Sequence, residues 1–210
     1  ADGTVFYNDS NTFSQFFDQR IRQQFDPGLK ATPFTLSREF RILLLEPVAW
    51  TKLYNRSFLQ KHELKFEDGL NSYEDMCFHF SVLLKAQRIS FSDAALIYYR
   101  QNRPGQISGR TDRRVFEVFT VFDRIHESLI SANVSRDFWA MVVRVHLRQF
   151  KWLIQDRVQS QQKGEFFALV ARQLRKIPEA GFQAFSHQAN HHELSILLCM
   201  RRNWLHMYET

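Results

Sequence analysis

The 210 residues are enough for one large domain, or one domain with an appendage, and their 44% hydrophobic and 24% charged content is typical of globular proteins. Only 7 glycines and 5 prolines occur, without low-complexity segments or internal repeats, which argues against intrinsic disorder. The 21 phenylalanines predict an aromatic-rich core.

The formal net charge of +6 favours an anionic partner, which would be nucleic acid, an anionic membrane surface or a phosphorylated substrate. No aromatic RNA-binding signature accompanies this charge, so nucleic acid is the weaker interpretation and we expect none to be bound. A solvated basic helix face would explain the same charge. The excess lies mostly in the C-terminal half, in residues that include Arg144, Arg148, Lys151, Arg172, Arg175, Lys176, Arg201 and Arg202.

The two cysteines, Cys77 and Cys199, both lie in apolar helical patterns. This placement indicates buried free thiols in a reducing compartment rather than a disulfide framework. No signal peptide opens the sequence, and no apolar run approaches the ~20 residues of a membrane span. The expected location is therefore the cytoplasm, or the inner face of the membrane with peripheral attachment.

The N-terminal half alternates short strand patterns with turns and short helices. Residues 1–8 predict a strand, and Thr12 to Phe25 fits either a helical face or a polar–apolar alternation. Ser37 would begin a helix that ends at Leu45, because Pro47 cannot continue it. We also expect a turn at 26–28, a strand over 48–54, a helix over 56–62 capped by Asn55, and a loop over 65–69. A helix is expected to begin after Ser72 and to end near Gln87. It would be followed by strands over 88–91 and 95–100 around a turn at 92–93, and by a Pro-Gly loop over 102–109.

From Thr111 onward the hydrophobic period becomes that of helices. Further helices are expected over 165–176 and 192–207. The sequence thus predicts an α/β region over 1–109, followed by an α-helical region over 110–210. The first helical face contains Val115, Val118, Phe122, Ile125 and Leu129; the next helix has Phe138, Met141, Val142 and Val145 on one face and Leu147, Phe150 and Ile154 on another side.

Two adjacent carboxylates, Glu74 and Asp75, stand at the start of an apolar run. Ser72, with Asp75 three residues later, forms a pattern like a capping box, and acidic residues in a first turn gain ~0.3–1 kcal/mol from the helix dipole. The same position suits a general base, because a carboxylate near apolar groups can be directed at an acceptor hydroxyl. The doublet alone leaves both interpretations open.

Several segments around this doublet form an ordered set. They are Trp50-Thr51-Lys52-Leu53-Tyr54 followed by Phe58-Leu59, Lys65-Phe66 with Gly69, Tyr73-Glu74-Asp75, Ala86 with Arg88-Ile89, Tyr98-Tyr99-Arg100, and Arg103-Pro104-Gly105-Gln106-Ile107-Ser108. In this order and at these spacings they resemble the second half of a family 2 glycosyltransferase of the GT-A fold. The resemblance covers about 1–108, and it implies that this region is the acceptor-side half of a GT-A-like mixed sheet with helices.

The resemblance implies inverting transfer of a sugar from a nucleotide-sugar, usually UDP-linked, to a hydroxyl of a saccharide or lipid-linked acceptor. Asp75 would be the base, with Glu74 beside it, because in-line displacement needs a carboxylate on the face opposite the leaving diphosphate. Trp50 and Lys52 would line the site behind the sugar, and a loop from Arg103 to Ser108 would be a mobile lid. The substrate-binding residues carried over are Trp50, Lys52, Tyr99, Arg100 and Arg103.

The sequence departs from this family in one respect. Members hold the nucleotide and a divalent metal, Mg²⁺ or Mn²⁺, with an Asp-X-Asp motif placed before the strand that Ala1-Asp2-Gly3 matches. The sequence contains no such motif and no preceding nucleotide-binding βα units. We therefore expect a fragment of a longer enzyme that binds no metal itself, and the isolated 210 residues are predicted to have no transferase activity.

Other histidines and cysteines form weaker candidate sites. His79 falls one helical turn after Asp75, where it would be part of a metal pair or simply a packed histidine. Cys77 has no recognisable His–Asp partners, so we do not expect it to be a nucleophile. A zinc site is not favoured in the patch of His187, His191 and His192, where Glu193 is the only carboxylate at ligand spacing.

Trp139, Trp152 and Trp204 lie among arginines and lysines of the C-terminal helices. They would be core residues, or else part of a basic aromatic surface resting on an anionic membrane that presents a lipid-linked acceptor. The sequence as a whole predicts part of a glycosyltransferase of bacterial surface polysaccharide synthesis. The alternative is a non-catalytic module on a truncated GT-A fold that binds a membrane or a partner protein.

Overall fold

The computed structural model describes residues 2–92, 95–104 and 112–209. It is 60% helical with a small three-stranded mixed sheet, which confirms the predicted combination of a sheet with helices. The chain divides into two compact units, unit 1 with residues 1–68 and 74–109, and unit 2 with residues 69–73 and 110–210. The boundary expected near 108–110 lies outside the described residues.

The sheet of unit 1 contains β1 (Asp2–Tyr7), β2 (Thr12–Gln15) and β3 (Ala95–Gln101). Its order is β2-β1-β3, with β1 antiparallel to β2 and parallel to β3. Val5 is fully buried, whereas its neighbour Phe6 lies on the other face, where its ring is 5.1 Å from that of Phe13. The strand predicted over 1–8 is therefore confirmed.

Four α-helices are described in unit 1. They are α1 (Gln19–Arg22), α2 (Pro27–Ala31), α3 (Arg56–Lys61) and α4 (Glu74–Lys85). The segment from Thr12 to Phe25 thus contains both of the structures it could have formed, since β2 is followed by α1. The cap of α3 is confirmed, because Asn55 Oδ1 accepts a hydrogen bond of 3.1 Å from the backbone N–H of Phe58.

Two turn and helix predictions in unit 1 were wrong in detail. The segment 26–28 begins a helix, because the Asp26 carboxylate accepts hydrogen bonds from the N–H groups of Gly28 and Leu29. The helix expected from Ser37 to Leu45 is replaced by two 3₁₀ turns, Leu36–Arg38 and Phe40–Leu44. Ser37 lies inside the first turn, and its hydroxyl contacts Thr35 Oγ1 at 3.0 Å instead of capping.

The strand expected over 48–54 does not form. Ala49–Thr51 is a 3₁₀ turn, and the Thr51 hydroxyl donates to the Val48 carbonyl at 3.0 Å. The Lys52 ammonium donates to the same carbonyl at 2.8 Å, so side chains occupy an acceptor that a neighbouring strand would otherwise use.

The strand expected over 88–91 is reduced to one antiparallel bridge between Phe34 and Ile89. Residue 93 of the turn expected at 92–93, and residues 105–109 of the Pro-Gly loop, lie outside the described residues. The strand expected over 95–100 is confirmed by β3.

Unit 2 is helical in its described part. It contains α5 (Glu117–Ser131), α6 (Arg136–Asp156), α7 (Lys163–Leu174), α8 (Glu179–Gln188), α9 (His191–Arg201) and α10 (Leu205–Tyr208). The predicted face of α5 is buried, and both predicted sides of α6 are buried as well. Helix α8 was not predicted. The single helix expected over 192–207 ends at Arg201, and Asn203, with φ 58°, precedes the short α10.

Two histidines face each other in the core of unit 2. His126 on α5 and His146 on α6 have their Nε2 atoms 3.1 Å apart. His146 Nδ1 is 2.8 Å from the Val142 carbonyl, which can only accept, so His146 Nδ1 carries a proton and its Nε2 accepts from His126. With both rings neutral, His126 Nδ1 is a buried acceptor without a hydrogen-bond donor in the described part of the chain. Burial lowers the pKa of both histidines, which favours the neutral rings.

Candidate functional site

The carboxylate doublet lies in the first turn of α4. The helix begins at Glu74, and the residue before it is Tyr73, which has a left-handed φ of 60°. Ser72 is therefore not in the N-cap position, and the capping box that its spacing suggested is not formed. A bulky residue in the left-handed region costs about 1–3 kcal/mol and is found most often at functional sites.

The Asp75 side chain is half-buried, and burial, followed by the charge of Glu74, raises its pKa above the ordinary value. Its carboxylate accepts a hydrogen bond from its own backbone amide, which opposes this increase, as does the positive charge of Lys52. Within the described part of the chain, no other side chain forms a hydrogen bond or ion pair with Asp75. The carboxylate thus keeps lone pairs that an incoming hydroxyl can use.

The positive charge of Lys52 lowers the pKa of the Asp75 carboxyl. Its Nζ donates to the Glu46 carbonyl at 2.7 Å, to the Val48 carbonyl at 2.8 Å and to Thr51 Oγ1 at 3.3 Å. Burial lowers its pKa to about 8, although the charges of Asp18, Asp75 and Glu46 oppose the decrease. The charges of Lys52 and Asp75 thus favour each other, while the hydrogen bonds of Lys52 Nζ go to the chain itself.

Asp18 is a buried residue of this site that the sequence did not reveal. Its side chain is only 5% exposed, and its Oδ1 accepts a hydrogen bond of 2.7 Å from the backbone N–H of Glu46. The contact joins α1 to the segment that carries the main-chain acceptors of Lys52. The ambiguous pattern around Asp18 contained no signal for this role.

Trp50 and Tyr99, two predicted substrate-binding residues, are in contact. Their ring centroids are 4.8 Å apart with an interplanar angle of 32°, and Trp50 also meets Phe16 edge to face at 5.6 Å. Trp50 remains 40% exposed. The two rings form a partly open aromatic surface in unit 1.

The predicted arginines lie elsewhere. Arg100 follows Tyr99 directly in β3 and therefore lies on the opposite face of the sheet, with its guanidinium 6.0 Å from the Phe6 ring centroid. Arg103 is exposed beyond the end of β3. The predicted lid lies outside the described residues from position 105 onward.

Among the described residues, two buried polar atoms on side chains affected by the charge of Asp75 or Lys52 have no hydrogen-bond partner. They are Tyr54 Oη and His79 Nε2. Burial, together with the charge of Asp75, raises the pKa of Tyr54 to about 12, and burial with the charge of Lys52 lowers the pKa of His79 well below its ordinary value. His79 is thus a packed, neutral histidine.

The other candidate sites are not assembled in the described residues. His187, His191 and His192 are exposed, and no group of three His, Cys, Asp or Glu side chains in the described ranges could hold a metal ion. Neither cysteine forms a disulfide bond; Cys77 is buried and Cys199 is half-buried.

The C-terminal tryptophans differ in exposure. Trp139 is core, whereas Trp152 and Trp204 are partly exposed beneath Arg157 and Arg202, respectively. Within the described residues, no helix has the length and apolar character to cross a membrane. Several of the basic residues form ion pairs within unit 2, namely Arg144 with Glu193, Lys176 with Asp123 and Arg201 with Glu179.

No protein-family model matches the chain, and the curated proteins contain no significant match to it. Function is therefore inferred from the order of the motifs and from the arrangement around Asp75.

Proposed function

We propose that Asp75 is the general base of an inverting glycosyltransferase, which moves a sugar from a nucleotide-sugar to an acceptor hydroxyl. The observation that carries this proposal is the state of the Asp75 carboxylate. It is half-buried at the start of α4, its pKa is raised, and it is engaged only by its own backbone amide within the described residues. A base of this kind is stronger than an exposed aspartate and is open to an acceptor.

In this reaction the acceptor oxygen attacks the anomeric carbon while the bond from that carbon to the diphosphate oxygen breaks. The acceptor proton passes to an Asp75 oxygen, and the diphosphate leaves with the bonding electron pair. Because the raised pKa makes Asp75 more basic, it favours the transfer of this proton. The chain would thus supply the base that activates the acceptor hydroxyl.

A divalent metal on the donor diphosphate is expected for a family 2 glycosyltransferase. In the described ranges, no group of three His, Cys, Asp or Glu side chains is arranged to hold a metal ion. These residues do not fit such a metal site, and we assign no step of the reaction through a metal to this chain.

The aromatic surface of Trp50 and Tyr99 supports a saccharide substrate. An exposed aromatic face can pack against the C–H face of a sugar ring, and Trp50 is accessible enough to do so. We therefore propose a saccharide or lipid-linked saccharide as the acceptor and a UDP-sugar as the first donor to examine.

The test is a screen of nucleotide-sugar donors with the full-length protein, comparing the wild type with Asp75→Asn. Loss of the base is expected to lower kcat/KM by about 10²–10⁴-fold. Asp68→Asn is the matched control, because the Asp68 side chain is 98% exposed in the preceding loop, and this variant is expected to keep wild-type activity.

Unchanged transfer by Asp75→Asn would overturn the assignment of the base. Transfer by the isolated 210 residues would refute the prediction that they are inactive alone. If the full-length wild type transferred no sugar from any donor, the alternative of a non-catalytic interaction module would be favoured.

A further inference from the structure

We propose that the end of unit 2 formed by α9, α10 and the turn between them docks on the surface of an anionic lipid bilayer. Four residues make up this C-terminal surface, namely Leu198, Arg202, Trp204 and Met207. The inference goes beyond the proposed transfer reaction, because it gives the chain a place of attachment and does not depend on Asp75 being a base.

The four side chains of the C-terminal surface follow one another across the turn. Leu198 and Arg202 are four residues apart, which places them on one side of the C-terminal end of α9. The Arg202 guanidinium lies 4.9 Å from the centroid of the Trp204 ring. The backbone N–H of Met207 donates to the Trp204 carbonyl at 3.2 Å, so these two residues are neighbours on the first turn of α10. The surface is therefore continuous from one helix to the next.

The apolar members of this surface are exposed, although the residues beside them are packed. Leu198 is 47% exposed and Met207 is 53% exposed, whereas the neighbouring Leu197 is buried. On α10, the ring of Tyr208 lies 5.4 Å from that of Phe167 on α7. Both helices are thus attached to unit 2 by one side, and they present apolar side chains on the other without any need to unfold.

The charges of the segment 190–209 favour an anionic partner. Its two acids are both engaged in ion pairs, Glu193 with Arg144 at 3.3 Å and Glu209 with Lys163 at 3.0 Å. Arg202, in contrast, is exposed and forms no ion pair with any described residue. The charge that remains unneutralised at this surface is therefore positive, and a basic residue close to an anionic membrane is attracted to it.

A bilayer fits the combination of side chains better than a water-soluble anion does. A dissolved polyanion could pair with Arg202 but would leave Leu198 and Met207 in water. An anionic bilayer offers a charged headgroup layer and an apolar layer directly beneath it. Tryptophan favours the boundary between these layers, because its ring is apolar and its N–H is polar. The long apolar stem of Arg202 allows its charge to stay among the headgroups while Leu198 and Met207 enter the apolar layer.

The test is flotation of the 210-residue chain with phosphatidylcholine vesicles prepared with and without phosphatidylglycerol. The wild type is expected to float with the phosphatidylglycerol vesicles, and less of it should float at high salt. Arg202→Gln should weaken this binding about fivefold, since one basic residue near the surface is lost. Met207→Ser should weaken it by a similar factor of about five, because half of the Met207 side chain is still available for burial.

Matched controls come from exposed residues elsewhere in unit 2. Ile130 on α5 is 62% exposed, and Ile130→Ser is expected to bind like the wild type. Arg136 at the start of α6 is exposed like Arg202, and Arg136→Gln should also leave binding unchanged. If these controls reduced flotation as much as Met207→Ser and Arg202→Gln do, binding would not be specific to the C-terminal surface and the inference would be overturned.

A second measurement uses the unaltered side chains. Spin-labelled phosphatidylcholine in the anionic vesicles should quench part of the tryptophan fluorescence of the wild type, and this part should be lost in Trp204→Phe. Quenching that persists in Trp204→Phe, or a wild type that does not float, would overturn the inference. A chain that ignores vesicles but forms a dimer, which Met207→Ser dissociates in sedimentation experiments, would assign the surface to contact between two copies instead.

The inference and the proposed function fail separately. Asp75→Asn is expected to float with anionic vesicles as the wild type does, whether or not it transfers sugar. Sugar transfer by Asp75→Asn would therefore remove the proposed base and leave the membrane surface intact. Loss of flotation in Asp75→Asn would contradict the location of the surface on α9 and α10.

Discussion

The raised pKa of Asp75 would favour the proposed chemistry at the expense of folding stability. Burial is the largest cause of its raised pKa, so its charge is less favourable in the folded protein than in the unfolded chain. Folding stability therefore falls as the pH rises from the unfolded pKa of about 3.9 through the higher folded value. Asp75→Asn removes this charge and is expected to stabilise the protein at pH 7 by about 0.5–2 kcal/mol.

Urea unfolding of the wild type and Asp75→Asn at pH 7 and at pH 3.5 measures this effect. The difference should be larger at pH 7, because the wild-type carboxyl is itself protonated at the lower pH. Asp68→Asn, at an exposed position, should show no such difference. A less stable Asp75→Asn at pH 7 would show that the attraction to Lys52 outweighs desolvation.

At this scale the site remains a prediction from the sequence. The motif order put Trp50, Lys52 and Asp75 in one region, and the charge of Lys52 opposes the increase in the pKa of Asp75. Asp18 could not be found, because its hydrogen bond to Glu46 spans 28 positions and depends on tertiary structure. The separation of Arg100 from Tyr99 could have been predicted, since neighbours in a strand face opposite sides.

Among the elements, the long helices were the most predictable. Helices α4, α5 and α6 repeat their apolar residues over several turns, so the pattern is clear, and residues such as Phe122 and Phe150 are buried as the period requires. The segment 48–54 was misassigned because its apolar alternation is short, and hydrogen bonds from Thr51 and Lys52 to Val48 favour a turn there. Such contacts are not visible in hydrophobic periodicity.

Gly181 allows α8 to pack closely against α6, which the hydrophobic pattern did not reveal. A Cβ at this position would lie 2.5 Å from the Trp139 Cβ on α6, so the glycine allows the two helices to approach closely. Gly181→Ala is expected to destabilise the protein by about 1–3 kcal/mol through overpacking, which exceeds the ~1 kcal/mol gain in helix propensity.

Gly164→Ala is the matched control on α7. A Cβ there meets nothing within 4 Å, so the variant is expected to gain up to about 1 kcal/mol. Urea unfolding curves of both variants give the comparison. Equal stability of the two alanine variants would show that α6 and α8 separate at little cost.

At the scale of the whole molecule, the sequence shows the net charge of +6 but not which charged side chains form ion pairs with one another. Arg113 pairs with Glu165, and Arg201 with Glu179, across different elements of unit 2. Positive residues that appeared available for an anionic partner are thus partly engaged within the fold. The net charge of a sequence therefore indicates an anionic partner only when the charges that remain outside internal ion pairs are also considered.

The acid stability of the whole protein should depend on its buried histidines. Burial lowers the pKa of His126 to about 4 and that of His146 well below its ordinary value, with Asp123 and Lys176 exerting opposite effects on His126. Between about pH 4 and the unfolded pKa of about 6.5, the unfolded chain binds protons that the folded protein does not. The free energy of unfolding is therefore expected to rise with pH through this window and to level off above it.

The pair is tested by replacing both His126 and His146 with leucine. Removing both partners of a buried hydrogen bond together leaves neither of them unsatisfied, so the loss at pH 7.5 should be small. The dependence of the unfolding free energy on pH between 4.5 and 6.5 should decrease, while His192→Gln, at an exposed position, should retain it. An unchanged slope in the double leucine variant would assign the acid sensitivity to other groups, of which the buried His79 is the first to examine.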